Sequence, residues 1–85
     1  MVSQNITAAQ LPYGAVGVVI EICLQGSMRR RLLDLGIVPG ARLRRRYTAP
    51  SGSPIAYEVN GAVLALRKGD AAQIAVEEAD DPWTP

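Results

Sequence analysis

The 85-residue chain carries nine Lys and Arg against eight Asp and Glu, for a net charge of +1, and has one cysteine and no histidine. At this length it is one domain near the lower limit for a self-sufficient core, and with no Phe that core is aliphatic. The lone Cys23 excludes an internal disulfide and fits a reducing, cytoplasmic setting, while the missing histidine removes the commonest metal ligand and the commonest general base.

In chain order, residues 1–10 read as a lead-in without the basic and apolar regions of a secretory signal. The pattern from Tyr13 to Ile22 predicts a strand, with Val16, Val18, Ile20 and Ile22 on one face and Gly17, Val19 and Glu21 on the other. Its most apolar run, Ala15 to Ile20, is too short to span a bilayer. Ser27 is a good N-cap for a helix of two turns over about 28–35, and Gly36 stands where a helix needs a left-handed residue. Pro39-Gly40 turns the chain into a second strand, Ala41 to about Thr48. "APSGSP" is a loop. A third strand, Ile55–Val59, meets the strong hairpin signal Asn60-Gly61, and a fourth follows from Ala62 to Arg67. "KGDAAQ" predicts a tight connection of one 3₁₀ turn before a final strand, Ile74 to about Glu77. Residues 78–85, with Asp80, Asp81 and Trp83, have the composition of a loose acidic tail. Five short strands at this spacing predict a mostly-β chain, a small antiparallel barrel with the helix plugging one opening.

Six arginines lie between Met28 and Pro50, and the backbone decides whether they act together. On the helix, at ~100° per residue, Arg29, Arg30 and Arg31 spread around the circumference, while Met28, Leu32 and Leu35 form the buried stripe. On the second strand Arg42, Arg44 and Arg46 share a face about 13 Å long, opposite Leu43, Arg45 and Tyr47. That stripe is a solvated face or a docking surface for an acidic partner. Residues 1–76 hold all nine basic groups and four acidic ones, so the acidic tail is a competitor for it. Nucleic acid is disfavoured, because Tyr47 and Tyr57 are expected to point inward and leave few aromatic platforms.

No catalytic constellation is present: there is no histidine, P-loop, GxGxxG or CxxC. Glu21 and Cys23, two apart on a strand, could hold half of a divalent-metal site; the alternative is that Cys23 is a small apolar residue at a strand end. A required cofactor is not expected, and weak divalent cation binding is the most this pair offers.

The pieces "RLLDLGIVPGARL", "APSGSP" and "NGAVLALRKGDAAQIAV" resemble, in order, the FeoA family of ferrous iron transport proteins. The "RLxxLGIxPG" part is Arg31, Leu32, Leu35, Gly36, Ile37, Pro39 and Gly40, and Ala65, Leu66, Arg67, Ala72, Ile74 and Val76 carry the rest. The resemblance implies an SH3-like barrel over 11–77 with a helical insertion. It also implies a non-enzymatic accessory role for the membrane ferrous-iron transporter FeoB, whose cytoplasmic part carries a GTP-binding domain. On that reading the chain is cytoplasmic, held at the inner membrane face by its partner, not itself embedded, and a monomer or weak dimer. Leu32, Leu35, Gly36, Pro39, Gly40, Asn60, Gly61 and Leu66 then serve as scaffold rather than as a site. The rival readings are a free-standing nucleic-acid-binding SH3-like domain and a divalent-metal-responsive interaction protein.

Overall fold

The structure, a computed structural model, describes residues 5–79. Six strands form one antiparallel sheet: β1 Asn5–Thr7, β2 Val16–Ile22, β3 Arg42–Thr48, β4 Ile55–Val59, β5 Ala62–Leu66 and β6 Ile74–Ala79, in the spatial order β1-β6-β2-β3-β4-β5. The helix α1 spans Gly26–Asp34, a single turn α2 spans Lys68–Ala71, and a 3₁₀ turn covers Ala8–Gln10.

The sheet is rolled. In a flat sheet β1 and β4, four places apart in this order, would be separated by about 19 Å. Yet the Tyr57 hydroxyl on β4 donates to the Ala8 carbonyl just after β1 at 2.7 Å. The concave face encloses one core, with Val19, Ile22, Leu43, Ile55, Tyr57, Val59, Leu66, Ile74 and Val76 from the strands and Leu32 from α1.

There are six strands where alternation predicts five. The extra one, β1, comes from the presumed lead-in and pairs with β6, Ile6 opposite Val76. A three-residue strand is too short to show a period of two. The last strand runs on to Ala79, so Glu78 is paired opposite Gly17 rather than lying in a tail; residues 80–85, including Asp80, Asp81 and Trp83, lie outside the described residues.

Two bulges overturn the predicted faces. In β2 the register shifts between Val19 and Glu21, which puts Val19 and Ile22 into the core and turns Ile20 outward at 38% exposure. In β3 it shifts between Arg45 and Tyr47, so Tyr47, expected inward, is 58% exposed. An extra residue on one strand inverts the alternation beyond it and bends the strand, and it is bends of this kind that let a sheet roll.

The helix begins at Gly26 with Gln25 at the cap, so Ser27 lies in the first turn rather than capping it. Its end corrects the predicted stripe. Leu32 is fully buried, but Leu35 is 45% exposed, and Leu33 packs against the core in its place. The cause is the C-terminus: Gly36 takes φ +94, its N–H bonds the Leu33 carbonyl at 3.0 Å, and the Ile37 N–H bonds Leu32 at 2.9 Å. This is the Schellman arrangement, which brings the residue after the glycine back over the helix. Ile37 is accordingly fully buried, taking the core position that a continued helix would have given Leu35.

A Cβ on Gly36 would collide with the Asn60 side-chain amide, so the helix end abuts the tip of the β4–β5 hairpin. At that tip Asn60 and Gly61 both have positive φ, 53° and 81°, as a two-residue hairpin turn requires. Pro39-Gly40 delivers the chain to β3, with the Gly40 N–H on the Val19 carbonyl at 2.7 Å. Leu66 closes β5 as a buried residue, and the connection that follows is the α-helical turn α2 rather than a 3₁₀ turn.

These burials separate two leucines that sequence periodicity treats alike. Leu32→Ala should cost ~2–5 kcal/mol, a large part of the stability of so small a domain, whereas Leu35→Ala should stay within about 0.5 kcal/mol of the parent. Denaturant melts of the two variants measure the difference. Equal losses would mean that the helix is rotated from its observed phase.

Candidate functional site

The arginine face forms as the strand period predicts, with additions. Arg44 sits opposite Glu58 in the β3–β4 register, and Arg46, at the bulge, reaches the Glu58 carboxylate at 3.1 Å. The Arg44 Nε donates to the Gly14 carbonyl at 3.2 Å. Each guanidinium has five N–H donors, so these single bonds orient the groups and leave most of their hydrogen-bonding capacity for another molecule. Arg42 is exposed at the start of the same strand.

Two tyrosines join this face. Tyr13, 72% exposed, and Tyr47 line an open cavity of about 230 Å³ together with Gly14, Arg44, Arg45 and Arg46. Sequence periodicity misses Tyr47 because the bulge lies immediately before it, and misses Tyr13 because the strand begins at Val16 rather than at Tyr13. Arginine and tyrosine side by side at a surface are the residue types most enriched where interfaces concentrate their energy. The exposed Tyr47 also removes part of the argument against nucleic acid, which needs such platforms.

Arg45, on the opposite side of β3, is structural. Its guanidinium donates to the Leu11 carbonyl at 2.7 Å, the Ala9 carbonyl at 3.3 Å and the Thr48 hydroxyl at 2.7 Å. It therefore holds the segment after β1 against the sheet beside the Tyr57–Ala8 bond. An arginine between Leu43 and Tyr47 on an apolar face was the sequence signal for this, because a charge placed there must find several partners.

Glu21 and Cys23 are both exposed and line one open cavity of about 530 Å³ with Arg29. The Arg29 guanidinium, bonded to the Ile22 carbonyl at 3.2 Å, places a positive charge beside the pair. Among the described residues no group of three or more His, Cys, Asp and Glu comes together to hold a metal ion.

Solved structures share this architecture. The solution NMR structure of FeoA from Chlorobium tepidum matches with a TM-score of 0.84 at 36% identity, covering 89% of this chain and 73% of that one. The crystal structure of Stenotrophomonas maltophilia FeoA complexed with zinc, described as a prokaryotic SH3 domain protein, matches with a TM-score of 0.74 at 29% identity, covering 84% and 88%. The molecule is thus a small SH3-like barrel with a helix let into it. The FeoA domain profile matches residues 6–78. An Fe(2+) transport protein A/Fe(2+) transporter FeoB fusion protein of Porphyromonas gingivalis is 32% identical over 69 residues, 81% of this chain but 8% of that relative. The chain belongs to the FeoA family.

Burial pushes the Tyr57 hydroxyl up to about 12, with the nearby Arg45 charge offsetting part of the rise. The folded state favours the neutral phenol, so this contribution to stability is complete below about pH 10 and is lost as pH rises through about 12. A spectrophotometric titration should show one of the three tyrosines ionising late, together with unfolding. Tyr57→Phe should abolish that late step and cost about 1–3 kcal/mol at neutral pH by leaving the Ala8 carbonyl unpaired. A late step that persists in Tyr57→Phe would assign it elsewhere.

Proposed function

We propose that this protein is a non-enzymatic accessory module of ferrous iron uptake. In this reading it docks on the cytoplasmic, GTP-binding part of a FeoB-type transporter, and the Arg42, Arg44, Arg46 face with Tyr13 and Tyr47 is the docking surface. The observation that carries the reading is the relative in which an Fe(2+) transport protein A and FeoB are one chain. A covalent link turns association into an intramolecular event at an effective concentration of about millimolar for short linkers, which suits partners that otherwise meet through a weak interface. The docking module is then cytoplasmic and held at the inner face of the membrane by its partner. Among the described residues no helix is long and apolar enough to cross a membrane.

The chemistry of the face supports an acidic partner. Guanidiniums fork onto carboxylates, and exposed cationic rows act mainly on association rate, in a salt-dependent way. Glu58, which already holds Arg46, shows the geometry that a partner carboxylate would reproduce. Tyrosines at the edge of the row add contact area at little entropic cost.

The test is binding of the chain to the isolated cytoplasmic region of a FeoB transporter, measured by calorimetry at low and high salt. The parent should bind saturably. Arg42→Glu/Arg44→Glu should weaken binding at least tenfold at low salt and less at high salt, with its melting curve confirming the fold. Undiminished affinity and unchanged salt dependence would reduce the row to a solvated face. Retention of the parent on single-stranded DNA, lost in the charge-reversed variant, with no binding to the transporter region, would favour the nucleic-acid reading.

A further inference from the structure

The two edges of the sheet differ. One edge is β1, three residues long. The other is β5, Ala62–Leu66, with five uncharged aliphatic residues. Soluble proteins blunt their edges with short strands, charges, proline or bulges. β1 is short, but β5 has none of these: it contains no Pro, no Lys and no charge, and its register with β4 is unbroken from Val59–Ala62 to Ile55–Leu66.

The register also fixes which backbone groups are unused. Val59 and Ala62 flank the two-residue turn and form a hydrogen-bonded pair, so such pairs alternate along the ladder. Val63, opposite Glu58, and Ala65, opposite Ala56, therefore turn their N–H and C=O groups away from β4. Among the described residues nothing accepts from or donates to those groups. The side chains match. Val63 is 55% exposed, Ala62 and Ala65 are exposed, and Leu64 is only partly buried against the core.

We propose that β5 pairs antiparallel with β5 of a second copy, about a two-fold axis through Leu64. In that register Val63 lies opposite Ala65 of the second copy and exchanges both backbone bonds with it. Leu64 meets Leu64 of the second copy at the close, non-hydrogen-bonded spacing of about 4.5 Å between Cα atoms. Charge selects a second copy as the occupant. Arg67 and Lys68, just beyond the strand, fall opposite the uncharged Gly61 and Asn60, so no like charges meet and the uncharged core of the edge faces its own equivalent. An isologous contact of this kind closes with one surface. A five-residue pairing is smaller than the ~1,200 Å² of a stable interface, so the dimer is weak and concentration-dependent. The inference is independent of the transporter reading.

Sedimentation equilibrium from micromolar to millimolar concentration tests it, with amide hydrogen exchange read at Val63 and Ala65. The mass should rise from one chain toward two, and these two amides should become protected as it does. Ala65→Pro removes a donor that the monomer does not use. Val63→Lys places a charge across from Glu58, where a monomer accepts it, but inside the paired edge of a dimer. Both variants should melt like the parent in dilute solution and dimerise at least tenfold more weakly; if the proline variant proves unfolded, the lysine variant alone decides. A one-chain mass at every concentration, or a dimer unaffected by the substitutions, overturns the proposal. So does protection of Val63 and Ala65 only on adding a transporter cytoplasmic region, which would give the edge to a partner strand.

Discussion

The fold depends on keeping the sheet rolled against its first residues. Tyr57 and Arg45, on adjacent strands and opposite one another in register, reach across the interior to the carbonyls of Ala8, Ala9 and Leu11. Backbone carbonyls in a 3₁₀ turn beside a core must be satisfied or they cost stability. Here two side chains satisfy them from the far side of the sheet, so one set of bonds removes a liability and closes the barrel. With no Phe in the chain, Tyr57 is also the largest fully buried side chain, and packing and closure converge on one residue.

A second constraint lies at the helix end. The reversal at Gly36 sends Ile37 inward and leaves Leu35 outside, and the lack of a side chain there lets the hairpin tip at Asn60 close in. The Gly36 and Asn60-Gly61 pieces, more than twenty residues apart in sequence, are thus a single contact. Their part in the resemblance to FeoA proteins is structural: they fix how the helical insertion sits on the barrel.

What remains for function is surface. The core holds no buried charged or polar residue among those described, apart from the Tyr57 hydroxyl that closes the barrel. The groups with chemical reach are the arginine row, its two tyrosines and the bare edge of β5. The first suits an acidic partner, because fixed guanidiniums are complementary to carboxylates. The second suits a strand, because unused backbone groups are complementary to other backbone. The two surfaces are chemically unlike, so occupation of one leaves the chemistry of the other intact.

The sequence by itself determined the local structure wherever a residue's own backbone preference decides it. Gly36 ends the helix, Asn60-Gly61 makes the hairpin, and Pro39-Gly40 turns into β3, because left-handed and turn conformations select those residues. It also placed Arg42, Arg44 and Arg46 on one face, since no bulge falls before Arg45. The tertiary structure alone decided what lies beyond each bulge. An inserted residue inverts the inside and outside of every later position, so Ile20 and Tyr47 turn outward with no local signal to announce it. It alone decided the fate of Leu35, which has the phase of a core residue but stands where the chain leaves the helix. It alone made a strand of Asn5–Thr7, because three residues become a strand only when β6 offers them a ladder. Nor could a one-dimensional pattern show that Tyr57 and Arg45 reach the same segment, since that meeting exists only once the sheet has rolled.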